Sequence, residues 1–193
     1  TAFTYNARNQ LEAVTVTDPV DNTTRSTTTT YCEAADVSTA NSTCPILGLV
    51  KKIDGPRVDV TDTTTYQYRS ADSPGCTTSP ETCPYRKGDL WKVTNAKTQT
   101  IEILAYDGAG RFKSVRDENG VTTDFEYSPR GWLTAKKVRG TNGASEADDR
   151  ISRIEYLDNG LVHKITQPDG VFVQFSYDGA HRLIKMVDGE GNA

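Results

Sequence analysis

The chain has 193 residues, 35% of them hydrophobic, and its 22 lysines and arginines nearly balance 26 aspartates and glutamates, giving a formal net charge of −4. The basic residues form no stripe along the sequence, which argues against a nucleic acid as partner. No apolar run is long enough to span a bilayer, so we expect no insertion into a membrane. A chain of this length has room for one or two domains.

A repeated pattern runs from end to end of the chain. A copy has an apolar residue two positions before a tyrosine, then a turn ending in glycine, then two apolar residues three positions apart. Thr29 is a weak match to the first slot, and Asn9 and His181 replace the turn glycine. The anchor tyrosines are Tyr5, Tyr31, Tyr68, Tyr106, Tyr127, Tyr156 and Tyr177. The first apolar residues after the turns are Leu11, Val50, Leu90, Phe112, Leu133, Val162 and Leu183. The second are Val14, Ile53, Val93, Val115, Lys136, Ile165 and Met186, where Lys136 is the charged exception. Such a period indicates the architecture before any single residue does.

Each copy has the pattern of two short strands. Apolar residues alternate with others from Val171 to Tyr177, which is the two-residue period of a strand. Asn119-Gly120 and Asp169-Gly170 supply the positive φ that tight hairpin turns need. No stretch has a sustained helical period. We therefore predict an all-β chain, an array of about seven antiparallel β-hairpins that forms one domain over residues 1–193.

The two ends of the sequence lie inside copies of the pattern. The chain starts at Thr1 within the second strand of a unit and stops at Ala193 in the turn before the next such strand. Both ends would leave open sheet edges, which natural proteins normally cover or pair. We therefore expect a piece of a longer protein, so the lack of a signal peptide carries no information on secretion.

Three loop insertions interrupt the period, at residues 32–47, 69–87 and 139–150. Cys32 and Cys44 lie in the first, and Cys76 and Cys83 in the second. Two cysteines in each loop favour two local disulfides, Cys32–Cys44 and Cys76–Cys83. Four reduced cysteines, or pairing between the loops, remain open alternatives. Disulfides would place the chain in an oxidising compartment, either secreted or at a cell surface.

The sequence contains no recognisable metal or catalytic constellation. The cysteine spacings are long and unlike each other, without the Cys-x-x-Cys of a zinc knuckle, so we expect no zinc. Asp148-Asp149 and the acidic stretch from Asp188 match no calcium loop. His163 and His181 fit surface or sheet positions better than a general base. We predict no catalytic residue, no cofactor and no metal, and hence a protein that is not an enzyme.

Aspartate is concentrated at turns, where its side chain can bond to the backbone. The turn positions are Asp18, Asp54, Asp107, Asp117, Asp169, Asp178 and Asp188. Trp91 and Trp132 lie beside apolar positions that follow turns. Exposed, they could stack on sugars or other ligands; buried, they would pack on the sheet. We favour packing and keep both as candidate ligand contacts.

Two segments resemble the YD repeat of the Rhs family. They are Tyr106-Asp107-Gly108-Ala109-Gly110-Arg111-Phe112 and Tyr177-Asp178-Gly179-Ala180-His181-Arg182-Leu183, and Asp117-Glu118-Asn119-Gly120 matches the turn that follows. The resemblance is specific over residues 101–193 and degraded before them. Rhs proteins, the C component of insecticidal toxin complexes and teneurins are large proteins of this kind, so the resemblance implies a curved or spiralling YD-repeat sheet, part of a β-shell.

The resemblance also implies a function and a set of partners. In bacterial members the shell encloses a toxic C-terminal domain, and a core motif near its end can release that domain by self-cleavage. Neither the core motif nor a toxin domain lies in this sequence. The expectation is therefore a structural fragment of a bacterial shell, whose partners are the rest of that shell and the enclosed toxin or effector. The alternative is an extracellular module that binds glycans or cell surfaces.

Overall fold

The computed structural model describes residues 1–142 and 145–192. Over these residues the fold is all-β and antiparallel, as predicted. The strands are β1 (Ala2–Tyr5), β2 (Leu11–Thr17), β3 (Thr24–Tyr31), β4 (Val50–Asp54), β5 (Thr64–Tyr68), β6 (Leu90–Thr94), β7 (Thr100–Tyr106), β8 (Phe112–Arg116), β9 (Thr122–Tyr127), β10 (Leu133–Val138), β11 (Arg150–Tyr156), β12 (Val162–Thr166), β13 (Phe172–Tyr177) and β14 (Leu183–Asp188).

Strand boundaries follow the repeat. Every odd-numbered strand ends at an anchor tyrosine, and every even-numbered strand begins at the apolar residue that follows the turn. The turn position lies in the left-handed region of φ in all seven copies, at Asn9, Gly48, Gly88, Gly110, Gly131, Gly160 and His181. Glycine occupies this region without steric cost, while Asn9 and His181 hold it with a side chain attached.

The chain forms two compact units. The first comprises Thr1–Arg111 with Arg116–Glu118, and the second comprises Phe112–Val115 with the described residues from Asn119 onward. In the first unit, the strands pair antiparallel in chain order from β1–β2 to β6–β7. In the second unit, they pair in the same way from β9–β10 to β13–β14. The single array over residues 1–193 stays a prediction.

A bulge precedes the anchor tyrosine in six hairpins, namely β1–β2, β3–β4, β5–β6, β9–β10, β11–β12 and β13–β14. The register shift leaves one extra residue in the second strand of each hairpin, which locally bends and twists that strand. These extra residues are Glu12, Lys51, Trp91, Thr134, His163 and Ile184. Two residues considered as functional candidates, Trp91 and His163, are thus bulge residues.

Short helices lie only in the loop insertions of the described chain. The α-helix α1 spans Ala34–Ser38 in the first insertion, and single turns of 3-10 helix span Pro74–Thr77, Pro80–Thr82 and Glu146–Asp148. The sequence gives no signal for α1 because one helical turn is too short to establish a 3.6-residue period. Gly143 and Ala144 of the third insertion lie outside the described residues, as does Ala193 in the terminal turn.

Little of the apolar surface is fully buried, as expected for single sheets with wetted faces. The buried apolar side chains of the described residues are Cys32, Cys44, Tyr68, Cys76, Cys83, Ile103 and Ala135. Cys32, Cys44 and Tyr68 form one cluster, against which Leu49, Tyr66 and Leu90 pack. The best-buried part of the first unit therefore includes an insertion rather than strands alone.

Candidate functional site

The anchor tyrosines share one hydrogen bond that joins each hairpin to the one before it. In six copies the phenolic hydroxyl donates to the backbone carbonyl of the first residue in the preceding even-numbered strand. The pairs are Tyr31 to Leu11, Tyr68 to Val50, Tyr106 to Leu90, Tyr127 to Phe112, Tyr156 to Leu133 and Tyr177 to Val162, at 2.6–3.0 Å. We call this set the tyrosine ladder.

The tyrosine ladder lies in partly desolvated positions. Burial raises the pKa of Tyr106 to about 12, with a smaller contribution from the charge of Asp89. Burial also raises the pKa of Tyr68, whose side chain is 8% exposed. A neutral phenolic hydroxyl is a donor, so the raised pKa extends the donor form of both tyrosines to a more alkaline pH. The ladder therefore fastens successive hairpins by side-chain bonds as well as by strand pairing.

The ladder was missed in the sequence, although the sequence carries a signal for it. The slot two residues before the anchor accepts different side chains, among them Phe3, Leu104 and Ile154. The anchor slot holds tyrosine in all seven copies and phenylalanine in none. An apolar contact alone would tolerate phenylalanine, so the unvarying hydroxyl indicates a required hydrogen bond.

An aspartate closes the turn after the anchor in the two best copies of the motif. Asp107 Oδ1 accepts from the backbone N–H groups of Ala109 and Arg111, and its Oδ2 accepts from Arg111 Nε at 2.6 Å. Asp178 makes the same bonds to Ala180 and Arg182. The turn uses the whole carboxylate, so the Tyr-Asp-x-x-Gly-Arg pattern is explained by backbone geometry.

These hydrogen bonds within the turns lower the pKa of both aspartates. The Arg182 backbone N–H, followed by the Arg182 guanidinium, lowers the pKa of Asp178. Burial works to raise the pKa of Asp107, but the bonds from Arg111 and Ala109 outweigh it and leave that pKa below its usual value. Both carboxylates are therefore held in the charged form, which suits a structural cap and not a proton donor.

The first insertion is stapled by a disulfide and bonds to the following hairpin. Cys32 pairs with Cys44 across a Cα–Cα distance of 5.5 Å, the local pair that the spacing predicts. The Thr43 carbonyl, next to the disulfide, accepts the backbone N–H of Tyr68 at 2.7 Å. The insertion thus supplies a backbone partner to the next anchor tyrosine and buries it.

The second insertion repeats this arrangement one hairpin later. Cys76 pairs with Cys83 across 4.5 Å, again as the spacing predicts. The Pro84 carbonyl accepts the backbone N–H of Tyr106 at 2.7 Å. Both cysteine-bearing insertions therefore reach forward along the chain to an anchor tyrosine, which gives them a packing role within the first unit.

Trp91, a candidate ligand contact, makes a hydrogen bond through its indole N–H and cation–π contacts through its ring. Its Nε1–H donates to Glu102 Oε1 at 2.7 Å. The Lys92 ammonium lies 4.1 Å from a ring centroid and the Arg69 guanidinium 4.9 Å, and Arg69 also stacks on Tyr85 at 4.0 Å. These are cation–π distances, so the indole is part of a packed cluster in the first unit.

Trp132, the second candidate contact, packs within the second unit. Its ring centroid lies 5.2 Å from that of Tyr156, and the Arg130 guanidinium lies 5.2 Å from the ring. A Cβ built on Gly160 would lie 2.8 Å from Trp132 Cζ2, so the indole covers that glycine. Trp91 thus belongs to the first unit and Trp132 to the second.

The remaining candidate residues are also placed in strands and turns. His163 Nε2 lies 3.4 Å from Gln174 Nε2 on the neighbouring strand, and His181 is a turn residue with φ of 64°. Among the described residues, no group of three or more His, Cys, Asp or Glu side chains lies close enough to hold a metal ion. None of the described helices is long and apolar enough to cross a membrane.

Two shallow grooves open on the described surface. One, of about 640 Å³, lies in the first unit beside the second disulfide, and is lined by residues that include Tyr85, Arg86, Asp89 and Tyr106. The other, of about 550 Å³, lies in the second unit between the turns at Asp169 and Asp188.

Comparison with known proteins identifies the repeat. The family model described as RHS Repeat matches residues 106–144 and 156–193. The comparison with curated proteins gives no match.

Solved structures with similarity to this chain come from toxin complexes. The crystal structure of TcdB2-TccC3 is 15% identical over 95% of this chain and 12% of its own, with a TM-score of 0.38. The Photorhabdus luminescens Tc holotoxin pore with a TccC3 variant is 15% identical over 95% and 11%, with a TM-score of 0.39. The chain therefore spans about an eighth or less of these structures, and TM-scores this low support no argument.

The RHS matches and the features of the repeat coincide. The two matched segments begin at the anchors Tyr106 and Tyr156, and they contain both complete Tyr-Asp-x-x-x-Arg turns. The chain therefore contains RHS-repeat sequence at residues 106–144 and 156–193.

Proposed function

We propose that this chain is a structural, non-enzymatic segment in the wall of an RHS-repeat shell. The observation that carries the proposal is the tyrosine ladder, because it joins each hairpin to its predecessor by the same bond. The acceptor is always a backbone carbonyl, so the bond does not depend on the side chain at that position. Hairpins built in this way can be added in series to make a wall of any length.

The proposed cargo of the shell is a C-terminal toxin or effector domain of the parent protein. This part of the proposal is supported by the RHS repeats, whose bacterial members enclose such domains. The proposed location is extracytoplasmic. Two disulfides support it, since disulfides persist in oxidising compartments and are rare in the cytosol.

Limited proteolysis of the full-length protein that contains this segment tests the proposal. We expect the region downstream of the repeats to resist protease in the wild type. In a variant with Tyr127, Tyr156 and Tyr177 replaced by phenylalanine, loss of three ladder bonds should loosen the wall. The downstream region should then be cleaved faster. Electron microscopy of the same preparations would report whether a hollow particle forms.

A matched control separates loss of ladder bonds from loss of tyrosine in general. The Tyr66 hydroxyl makes no hydrogen bond within the described residues, so Tyr66→Phe should leave protection unchanged. Cleavage of the downstream region is compared in the wild type, in the triple variant and in the region expressed alone. Equal cleavage rates in all three would show that this segment does not enclose the region.

The alternative function, binding of extracellular glycans through Trp91 or Trp132, needs an indole face free to stack. Both rings already contact cationic side chains, which makes this alternative the weaker one. A glycan array tests it directly: binding that disappears in Trp132→Ala or Trp91→Ala, while the fold is kept, would favour the alternative. Binding that is absent, or the same in both variants, would remove its basis.

A further inference from the structure

The connection between β4 and β5 differs from the other connections of the first unit. Backbone hydrogen bonds close each of the others among β1 to β7, as the bond from the Asp18 N–H to the Thr23 carbonyl does at 2.8 Å. Within the described chain, no backbone-to-backbone hydrogen bond holds residues 56–61. All six of these residues are exposed, and Val58 is completely so. We call residues 56–61 the open loop, because its backbone is accessible to a binding partner.

The open loop contains one basic residue, Arg57. Its guanidinium pairs with Asp59 at 2.7 Å, and the two side chains are 58% and 65% exposed. An ion pair as exposed as this one contributes little, so the guanidinium can exchange Asp59 for another carboxylate. The Arg57 backbone N–H donates to Asp62 Oδ2 at 2.9 Å. Drawing the open loop into the cleft of another protein therefore breaks few contacts and uncovers no packed side chain.

Side-chain exposure alone would favour a different arginine as a site of proteolysis. Arg182 is 79% exposed, but its carbonyl accepts the Asp178 N–H at 2.9 Å inside a tight turn. Proteases cut exposed loops whose backbone is free to enter the active-site cleft, and a closed turn is not. Pro56 has its φ fixed at about −65°, which suits an extended chain ahead of Arg57. Backbone accessibility therefore favours Arg57.

We propose that the Arg57–Val58 peptide bond is a processing site for a trypsin-like serine protease, and that the chain stays assembled once it is cut. The acidic S1 pocket of such a protease takes the Arg57 guanidinium in place of Asp59. Water adds across the bond: the Arg57 carbonyl carbon becomes part of a carboxylate, and the Val58 nitrogen leaves as an ammonium group. No other bond of the chain changes.

Contacts on the two sides of the cut keep the pieces together. Strand β4 pairs with β5. The Tyr68 hydroxyl donates to the Val50 carbonyl at 2.6 Å, and the Tyr68 backbone N–H donates to the Thr43 carbonyl at 2.7 Å. Tyr68 also packs in the cluster with Cys32 and Cys44. The first insertion thus binds the hairpin that follows the cut, and the tyrosine ladder crosses the cut.

Neither disulfide joins the two pieces. Cys32–Cys44 lies before the cut and Cys76–Cys83 lies after it. Residues 1–57 and residues 58–193 are therefore held by noncovalent contacts alone. Denaturation should separate them without a reducing agent, whereas native conditions should not.

This inference goes beyond the proposed wall function, since it concerns processing of the segment and not the enclosure of a cargo. Brief digestion of the oxidised chain with trypsin under native conditions tests it. We expect the first cut to give a new N-terminus at Val58, identified by mass spectrometry. Denaturing electrophoresis without reductant should then resolve residues 1–57 and 58–193, while gel filtration in native buffer gives one species with the mass of the uncut chain. The full-length protein should show the same first cut.

Four variants separate the site from general sensitivity to protease. Arg57→Gln removes the group that the S1 pocket binds, and Val58→Pro keeps that group but makes the bond resistant, so each should abolish this cut. The Val58 N–H makes no hydrogen bond within the described residues, so proline there removes none. Arg57→Lys should keep the cut. Arg182→Gln is the matched control and should leave the first cut unchanged.

Several results would overturn the proposal. A first cut elsewhere, or an equal rate in Arg57→Gln and the wild type, means that the open loop is not the site. Pieces that separate in native buffer mean that the cut chain does not stay assembled. A cut in this chain that is absent from the full-length protein means that the parent covers the loop, so no processing occurs there. Each of these outcomes leaves the proposed wall function standing, because protection of the downstream region tests that function separately.

Discussion

At the scale of single residues, the anchor tyrosines combine two contributions to the fold. The ring packs on the sheet, and the hydroxyl bonds to a carbonyl of the preceding hairpin, as Tyr156 does to Leu133 at 2.9 Å. Phenylalanine would keep the first contribution and lose the second. The two can therefore be separated by a substitution that removes one atom.

Tyr156→Phe should lower the free energy of unfolding by about 1 kcal/mol, the net value of one hydrogen bond. The ring contact with Trp132 is retained in the variant, so the loss reports the hydroxyl alone. Urea unfolding of the purified chain measures the difference. Tyr5→Phe is the matched control and should change nothing, because its hydroxyl has no partner in the described residues. Equal effects of the two substitutions would contradict a ladder.

Gly160→Ala should destabilise the protein more than Gly110→Ala, by about 1 kcal/mol or more, because it adds overpacking to strain. Both glycines have positive φ, 89° and 78°, so alanine is strained at either position. Only at Gly160 does the new Cβ meet a neighbour, Trp132 Cζ2 at 2.8 Å. Thermal unfolding of the two variants gives the difference. Identical losses would mean that the indole moves aside freely.

At the scale of elements, the insertions are the part of the fold that the repeat does not explain. The repeat predicts where they occur, and their cysteine spacing predicts the two local disulfides. Neither the repeat nor the cysteine spacing predicts that a backbone carbonyl of each cysteine-bearing insertion accepts a hydrogen bond from the next anchor, as the Thr43 carbonyl does from the Tyr68 N–H. That contact depends on the path of an irregular loop, which has no periodicity from which to infer it.

Removal of the first disulfide should cost more stability than removal of the second. Loop closure alone gives about 3 kcal/mol for Cys32–Cys44 and about 2.5 kcal/mol for Cys76–Cys83. The first pair also packs in the cluster with Tyr68, which the second does not. Thermal unfolding of the double variants Cys32→Ala/Cys44→Ala and Cys76→Ala/Cys83→Ala measures both. A larger loss for the second pair would contradict a core role for the first insertion.

At the scale of the whole molecule, the ionised aspartates in the turns make the free energy of unfolding depend on pH. Asn192, through its side chain and then its backbone N–H, lowers the pKa of Asp188, and Arg182 lowers that of Asp178. A lowered pKa in the folded state contributes stability that is complete above the ordinary value of about 3.9 and lost as pH falls below it. We expect unfolding free energy to decline with acid over that range.

Asp178→Asn tests this pH dependence without removing the turn. Asn6 already closes an equivalent turn, where its Oδ1 accepts from the N–H groups of Arg8 and Gln10. The variant should therefore fold, be less stable than the wild type at neutral pH, and approach it as the pH falls below about 4. Urea unfolding at a series of pH values measures the gap. A gap that does not change with pH would show that the carboxylate charge contributes nothing.

The sequence predicts much of the fold because the repeat sets strand ends and turns together. Each strand that ends at an anchor, and each that starts at Leu11 or its equivalents, lies where the pattern places it. The tyrosine ladder was not predicted. Each of its hydrogen bonds joins residues 15 to 23 positions apart, a separation at which the sequence pattern does not show which residues are in contact. The packing of Trp91 was left open for a similar reason: Arg69 lies in the irregular insertion between β5 and β6, and Glu102 lies in β7 of the next hairpin.

The direction of the tyrosine ladder has a consequence for how such proteins change over evolution. The donor belongs to the later hairpin, and the acceptor is main chain in the earlier one. Duplication or loss of a whole hairpin consequently restores an intact bond at the new junction without any compensating substitution. Tyrosine is the residue that must be retained, while its neighbours are free to drift. The copies before residue 101 keep every anchor tyrosine although the rest of their motif is weaker.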